Sequence, residues 1–396
     1  MRTAKLFFIT LFLVSACTVY AQQHYFKAQA HCHTTNSDGA LAPVNVLYQY
    51  GIKGYRILFI TDHGYMTDGE ALSNPMMLCI NSEEVTFKNH VNAFNLKHTI
   101  DDANMTIQPA LDSIHAQGAM SMINHPIPRF PNDWSLSCLD FQYLNNIDFM
   151  EIHNGGTELY APDDLTLWDC VLSGGKKIYG LATDDSHDLD LFDLGWIMIK
   201  LNPENINKQA VINAMKNGDF YASDGIEITN YELVDNKTIH VSCSNCTKIR
   251  FVGPNHQTLQ ETNGTSASYT RNGELYVRAE LEDDGLLVAK KMAWAQPEFF
   301  DKPASVYENK GFNTIDFFPN PVQNKTNVSY YSPDGKPSML KLTNLQGQEI
   351  MILPLVPSFT GNNSYVLDIS SLKDGVYICS IKSGDILTNS RLVITR

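Results

Sequence analysis

Histidines and acidic residues gather directly behind short apolar segments in the first half of the chain. Ten of the twelve histidines lie between residues 24 and 187. The clusters are His31-Cys32-His33 with Asp38, Thr61-Asp62-His63, Glu83-Glu84 with His90, Asn124-His125-Pro126, and Asp184-Asp185-Ser186-His187. Residues i and i+2 of an extended segment point the same way, so His31 and His33 can bind one ion together, as can Asp185 and His187. Imidazole combined with carboxylate favours Zn, Mn or Fe over Mg.

The number of these side chains predicts more than one ion. The clusters supply at least nine candidate ligands, which are too many for a single cation, so we predict two or three divalent ions. Paired ions lower the pKa of a bound water toward about 7 and neutralise charge on the attacking and leaving oxygens. This chemistry suits the hydrolysis of phosphoesters, and it also serves amides and lactones. A non-catalytic surface metal-binding protein is a third alternative, which the ligand number disfavours because structural metal sites are usually closed four-coordinate shells.

The segments that must position these clusters alternate between strand-like and helix-like patterns. Short apolar runs at 56–60, 119–123, 148–152 and 177–182 are typical of buried parallel strands. Helical spacing recurs in two sets between such runs: Val44, Leu47, Tyr48 and Ile52, and then Ile107, Leu111 and Ile114. The alternation predicts an α/β domain, either a barrel or a doubly wound sheet. In both folds the carboxyl ends of parallel strands open on one face, where the clusters can converge.

The order of these motifs resembles that of the PHP (polymerase and histidinol phosphatase) family. The matching residues are His31-x-His33, Ser37-Asp38-Gly39, Thr61-Asp62-His63, Glu84-Val85-Thr86, His90, Asn124-His125-Pro126 and Asp185-x-His187. The resemblance covers residues 22–225 and implies a distorted (β/α)7 barrel that acts as a metal-dependent phosphoesterase on a small phosphorylated substrate. The ligands it implies are His31, His33, Asp38, His63, Glu84, His90, His125, Asp185 and His187. It implies Glu84 rather than Glu83, because the acid in the family pattern directly precedes a Val/Ile-Ser/Thr pair.

Four further residues are candidates for the catalytic machinery. Asp62 and Asp184 each adjoin a predicted ligand, and we expect them to orient a ligand rather than to bind an ion. His153 follows another predicted strand, where it either contacts substrate or packs behind the site. Arg129 comes just after His125, and it either holds a phosphate group through two hydrogen bonds or is an ordinary surface arginine.

The rest of the chain changes to patterns of period two. Residues 226–300 alternate apolar and polar side chains and predict a small antiparallel β domain. Residues 301–313 predict a linker, and residues 314–396 predict a second all-β domain, a β-sandwich. Cys243 and Cys246 predict a strand-end disulfide or two free thiols rather than a zinc site, since no second pair of ligands is evident.

The last segment resembles a type IX secretion sorting domain of type A. The residues that carry this resemblance are Phe318-Pro319-Asn320-Pro321, Asn344-Leu345-Gln346-Gly347, Leu372-Lys373-Asp374-Gly375-Val376-Tyr377 and Arg391-Leu392-Val393-Ile394. The resemblance implies that residues 314–396 bind the type IX secretion machinery. It also implies passage across an outer membrane and later removal of this domain.

The start of the chain predicts export. Arg2 and Lys5 precede an apolar run at 6–14 that is too short to span a bilayer, so residues 1–21 are typical of a signal peptide. A lipoprotein anchored at Cys17 is the alternative. We expect a secreted or cell-surface protein without a transmembrane segment. The net charge of −14 repels nucleic acid, so no stable nucleic-acid partner is expected, although bound metal can still admit a small phosphorylated substrate.

Overall fold

The computed structural model describes most of the chain after residue 23. The described residues are 24–103, 105–127, 135–156, 164–283, 290–300, 315–332, 336–357, 361–383 and 386–396. The predicted signal peptide at 1–21, the alternative lipid anchor at Cys17, the predicted linker at 301–313 and Arg129 lie outside them. The chain divides into two units between Lys302 and Pro303. Within the described ranges, no helix combines the length and the apolar character needed to cross a membrane.

Unit 1 is a mixed α/β structure. Its helices are α1 (Pro43–Ile52), α2 (Gly69–Leu72), α3 (Ile107–Ala116), α4 (Cys138–Tyr143), α5 (Asp164–Ser173) and α6 (Lys208–Asn217). Its first ten strands are β1 (His24–Gln29), β2 (Ile57–Phe59), β3 (Leu78–Ile80), β4 (Ser82–Thr86), β5 (His90–Phe94), β6 (Met120–Ile123), β7 (Phe149–Asn154), β8 (Tyr179–Thr183), β9 (Trp196–Leu201) and β10 (Phe220–Ser223). Eight more follow: β11 (Ile228–Val234), β12 (Thr238–Cys243), β13 (Lys248–Gly253), β14 (Gln257–Asn263), β15 (Ser266–Thr270), β16 (Tyr276–Asp283), β17 (Lys291–Ala295) and β18 (Glu298–Phe299).

Two sheets carry the clusters. The first has the order β14-β13-β16-β17-β10-β9-β1-β2-β3, with β18 beside β16, and the second runs in chain order from β4 to β8. Strands β1 to β3 are parallel, as are β6 to β8, whereas β4, β5 and β6 pair antiparallel. Only residues 87–89 join β4 to β5, and so short a connection makes a hairpin instead of a helical crossover. The predicted alternation of parallel strands and helices therefore does not hold between residues 82 and 94.

Helix α3 follows its sequence pattern closely, and α6 has a defined cap at each end. In α3, Leu111 and Ile114 are fully buried, which confirms the predicted apolar face. In α6, the Asn207 side chain accepts a hydrogen bond from the backbone N–H of Ala210 and so caps the amino end. Gly218 ends this helix in the left-handed conformation, with φ of 77°.

Helix α1 buries a different face from the one that the spacing predicts. Of the four predicted apolar positions only Leu47 is buried, while Val44, Tyr48 and Ile52 are 61%, 65% and 61% exposed. Tyr50 lies in the core instead. The helix contains no charged residue, so no charged face in its sequence marks the side that meets water.

The strands after residue 225 continue the first sheet. Strand β17 pairs antiparallel with β10, which places Ala295 opposite Tyr221. A separate three-stranded sheet has the order β11-β12-β15. The strands are antiparallel as expected, but unit 1 extends to Lys302, so the structure differs from a division at residue 225. The reason is the main-chain hydrogen bonding between β10 and β17, which joins the two regions into one sheet.

Two disulfides lie in the described part of unit 1. Cys243 and Cys246 are bonded, which is one of the two alternatives that the sequence leaves open. Cys138 and Cys170 form the other disulfide, which links α4 to α5.

Unit 2 is all-β in its described residues. Its strands are β19 (Asp316–Phe318), β20 (Lys325–Ser332), β21 (Ser338–Asn344), β22 (Glu349–Leu355), β23 (Gly361–Asp368), β24 (Gly375–Ser383) and β25 (Ile386–Ile394). They form a three-stranded sheet, β19-β20-β23, and a four-stranded sheet, β22-β21-β24-β25. Val328, Leu340, Leu342, Leu367 and Leu392 are fully buried and belong to one core.

Candidate metal centre

The clusters predicted from the sequence meet at one cleft of unit 1. Strands β1, β2, β6 and β8 each end within four residues of a predicted ligand, and β4 and β5 contribute Glu84 and His90 directly. The cleft has a volume of about 370 Å³. Its lining consists of Asp38, His63, Glu84, His90, His125, Gly156, Asp185, His187 and Leu191. His31 and His33 are buried next to these residues, and the ring of His33 lies 4.4 Å from that of His63 and 4.2 Å from that of His187.

The Glu84 carboxylate lies at the centre of the imidazoles. Its Oε1 is 3.0 Å from His90 Nδ1 and 3.4 Å from His31 Nε2. Its Oε2 is 2.9 Å from His63 Nδ1 and 3.5 Å from His33 Nε2. Side chains alternate across a strand, so Glu84 faces the cleft while Glu83 points to the other side, where it accepts a hydrogen bond from a backbone N–H. This placement agrees with the choice of Glu84 over Glu83.

Two aspartates complete the ring of side chains. Asp185 Oδ1 lies 3.2 Å from His31 Nε2 and 3.1 Å from His33 Nε2. Asp38 is the exposed member, 56% accessible, and its Oδ1 lies 3.3 Å from His187 Nε2. The structure thus brings all nine predicted ligands together at one place.

Three overlapping groups have ligand atoms close enough to share a cation. In each group one nitrogen or oxygen per residue lies within 4.8 Å of all the others. The groups are His33, Asp38, His63 and His187; His31, His33 and Asp185; and His63, Glu84 and His90. His33 and His63 belong to two groups each, so the groups are adjacent sites of one centre.

The electrostatics keep the carboxylates ionised. Burial by itself raises the pKa of Glu84, but the imidazoles of His31 and His125 hold that pKa well below its usual value. Burial likewise raises the pKa of Asp185, and His31 and His33 bring it well below its usual range. Ionised carboxylates are the form that binds cations.

The buried nitrogens test whether metal ions fit these residues. His31 Nε2 and His33 Nδ1 are buried, and neither has a hydrogen-bond partner among the described residues. Buried polar atoms nearly always have a partner, and one left without it costs free energy. Nitrogen atoms that face a ring of carboxylates fit a divalent cation of the Zn, Mn or Fe type. We conclude that the residues present fit such ions.

Asp62 has a different role from the one expected. Its carboxylate accepts hydrogen bonds from the Thr34 backbone N–H at 2.6 Å, the Thr34 hydroxyl at 2.8 Å and the Ser37 hydroxyl at 2.8 Å. The neighbouring ligand His63 is positioned by other groups, since its Nδ1 lies 2.7 Å from the Thr86 hydroxyl and 2.9 Å from Glu84 Oε2. Asp62 thus fixes the loop that carries Asp38.

Glycine is required in the same loop. A Cβ atom on Gly39 would lie 2.5 Å from the backbone carbon of His33. The loop can therefore fold back against the first ligand segment only with glycine at this position.

Asp184 also orients backbone instead of a ligand side chain. It accepts hydrogen bonds from the backbone N–H groups of Asp193, Leu194 and Gly195 at 2.7–2.8 Å, and from the Tyr50 hydroxyl at 2.9 Å. Burial raises its pKa to about 6. Its carboxylate ties the segment after the last ligand to the end of β8.

His153 packs away from the cleft. It is buried and its ring lies 5.5 Å from the ring of Trp294 in β17. Of its two predicted alternatives, packing behind the site agrees with this placement. Arg129 lies outside the described residues, so its predicted phosphate contact stays a prediction.

Glu151 is a buried acid at the centre that the sequence analysis did not select. Its Oε1 lies 2.8 Å from His31 Nδ1. Its Oε2 accepts a hydrogen bond from the His125 backbone N–H at 2.6 Å. The signal for it was present, since a glutamate within the apolar run Phe149–Ile152 is unusual unless it is paired.

A comparison with family models identifies unit 2. Residues 316–395 match the family described as a secretion system C-terminal sorting domain. This segment of the chain is therefore a sorting domain, as the sequence motifs indicated, and it marks the protein for export to the cell surface or beyond. Among curated proteins, none matches the chain.

Solved structures show loose similarity to the chain. A two-domain protein from Bacteroides vulgatus, described as containing a "predicted PHP-like metal-dependent phosphoesterase", is 14% identical over 88% of this chain and 96% of its own, with a TM-score of 0.40. A Bifidobacterium adolescentis protein, described as a "putative metal-dependent phosphoesterase", is 12% identical over 48% of this chain and 94% of its own, with a TM-score of 0.36. An amidohydrolase from Chromobacterium violaceum is 14% identical over 41% and 87%, with a TM-score of 0.31. Similarity at this level assigns no activity.

Proposed function

We propose that the protein is an exported metal-dependent hydrolase that cleaves small phosphoesters. The observation that carries the proposal is the convergence of nine histidine, aspartate and glutamate side chains from separate segments on one cleft. Three groups among them are each tight enough to hold one cation. Two or three ions of Mn, Zn or Fe are the matching cofactors, and the type IX machinery is the matching partner of residues 314–396.

The predicted ligands fall into a buried group, the floor of the cleft, and a partly exposed group, its rim. His31, His33 and Glu84 have side chains with no exposed surface, so the floor excludes water. His63, His187 and Asp38 are 26%, 31% and 56% exposed and can be reached by a substrate. When bound, divalent cations at such a site polarise phosphoryl oxygens and lower the pKa of water.

The closed barrel belongs to the same proposal. Two isolated bridges link the first sheet to the second, one between Cys32 and Ser186 and one between His63 and Glu84. These bridges support the view that β1 to β8 form a distorted seven-stranded barrel, with β3 and β4 acting as one bent strand. The ligands would then lie at its mouth.

The test is elemental analysis of the purified protein, followed by assays on phosphomonoesters, phosphodiesters, amides and lactones. We expect His31→Ala and Asp185→Ala to lose bound metal and to lower phosphoester turnover about a thousandfold, because metal ions supply several kcal/mol of transition-state stabilisation. His115→Ala is the control, since His115 pairs with Asp148 away from the cleft. Loss of metal without loss of turnover would refute the proposal, and turnover of amides or lactones alone would replace the substrate class.

A further inference from the structure

Glu151 is fully buried in β7 and is surrounded by hydrogen-bond donors. We propose that Glu151 is the positioning residue that fixes the tautomer of His31 and the placement of His125 and Asp185. The proposal rests on the proposed metal-dependent function, and it concerns how the chain prepares its ligands.

The first carboxylate oxygen acts on His31. Glu151 Oε1 lies 2.8 Å from His31 Nδ1 and accepts a hydrogen bond from the Thr183 hydroxyl at 2.5 Å. An imidazole that donates from Nδ1 has its lone pair on Nε2. Nε2 is the His31 atom that faces Glu84 and Asp185 across the centre. The carboxylate therefore leaves His31 with its free lone pair directed at the predicted ion.

The second oxygen reaches two more ligands. Glu151 Oε2 accepts hydrogen bonds from the His125 backbone N–H at 2.6 Å and from Asn154 Nδ2 at 3.0 Å. The same Asn154 nitrogen donates to Asp185 Oδ2 at 3.1 Å. His125 and Asp185 have φ of 26° and 51°, a region that costs a non-glycine residue free energy unless neighbours hold it. Glu151 restrains the backbone of His125 directly, and it restrains Asp185 through Asn154.

Only a carboxylate satisfies these neighbours. All four partners donate: an imidazole N–H, a hydroxyl, a backbone N–H and an amide NH2. A glutamine would turn an NH2 group toward one pair of them. If the NH2 group faced His31, Nδ1 would have to accept its hydrogen bond. The ring proton would then lie on Nε2, the nitrogen that is needed to bind the ion. Facing His125, it would oppose a backbone N–H that cannot rotate away.

The experiment compares Glu151→Gln with Glu83→Gln in the full chain. Glu83 is a second buried glutamate, and its carboxylate accepts from the Ile100 backbone N–H at 2.8 Å on the far side of β4. Titration with Mn²⁺ and separately with Zn²⁺ measures affinity and number of ions. We expect Glu151→Gln to weaken binding by about 10–100-fold, and Glu83→Gln to stay within about twofold of wild type. Glu151→Gln at wild-type affinity would overturn the proposal.

Two further readouts separate positioning from simple packing. The visible spectrum of the Co²⁺-substituted protein should change in Glu151→Gln, because the ligand field at the ion is altered. A lower unfolding temperature of the metal-free variant with unchanged ion affinity and spectrum would also overturn the proposal. Ion binding without any turnover would defeat the proposed function and leave the role of Glu151 standing.

If Glu151→Gln does not fold, two milder variants test the proposal in its place. Asn154→Ala removes the link to Asp185 and should weaken Mn²⁺ and Zn²⁺ binding by about tenfold, while Thr183→Val removes one donor and should weaken it by roughly threefold. Wild-type affinity in both variants would contradict the proposal.

Discussion

The nine side chains of the centre differ in how far water reaches them. His31, His33 and Glu84 are closed off, whereas Asp38 is more than half exposed and is held by a loop fixed through Asp62. Asp38 belongs to just one of the three groups able to share a cation. The site should therefore lose its ions one at a time, beginning at the rim.

Removal of Asp38 tests this order. We expect Asp38→Asn to reduce the number of bound ions by one and to leave the remaining affinity within about threefold, because the other two groups keep all their ligand atoms. Elemental analysis after desalting gives the count. Asp190→Asn is the matched control. Asp190 is an exposed aspartate three residues after His187, and it belongs to none of the three groups that could share a cation. An unchanged ion number in Asp38→Asn, or loss of every ion, would contradict the expectation.

At the scale of elements, the sequence predicts which ligands follow a strand better than it predicts the hydrogen bonds between strands. His31 and His33 could be placed on one face because the two-residue period of extended chain is fixed by geometry. The bonds of Glu151 could not be foreseen, because three of its four partners come from other segments that only the fold brings beside β7. Helix α1 was ambiguous for another reason: both of its faces are apolar, so the pattern alone cannot tell which one packs.

The elements after residue 225 are attached to the α/β part of unit 1 by buried charges. Arg278 in β16 has no exposed surface, and its Nε donates to Asp169 Oδ1 of α5 at 2.9 Å. Its Nη1 lies 2.8 Å from Glu280 Oε1. Burial raises the pKa of Asp169, but the guanidinium of Arg278 holds it below its usual value. Arg278 is the fully buried cation that both carboxylates share, while His256 also contacts Asp169 and Arg250 lies 3.5 Å from Glu280.

Loss of that cation should destabilise unit 1. We expect Arg278→Met to lower the free energy of unfolding by about 3–5 kcal/mol, because it removes the fully buried cation that pairs with Asp169 and Glu280. Lys208→Met is the control: it breaks the exposed Lys208–Glu70 pair and should cost less than about 1 kcal/mol. Urea unfolding followed by tryptophan fluorescence reports this unit, since all four tryptophans precede Lys302. Equal effects of the two substitutions would show that the Arg278 cluster does not stabilise the unit.

At the scale of the whole molecule, the candidate metal centre and the sorting domain lie in different units. The nine predicted ligands and their cleft lie in unit 1, while the sorting-domain match at 316–395 falls within unit 2. Unit 2 has its own buried core around Val328, Leu340 and Leu392. A separate core is what allows one unit to be removed without unfolding the other.

A chain that ends at Lys302 tests this division. In a host with type IX machinery, we expect the truncated protein to stay inside the outer membrane while the full chain reaches the surface or the medium, because the sorting domain is missing. Purified, it should keep the ion content of the full chain and unfold within about 1 kcal/mol of it by tryptophan fluorescence, since no core residue of unit 1 is removed. His31→Ala in the full chain is the control and should be exported normally, because it lacks only a ligand. Export of the truncated chain would show that unit 2 is not required for export. Loss of its ions would show that unit 1 needs unit 2 to bind them.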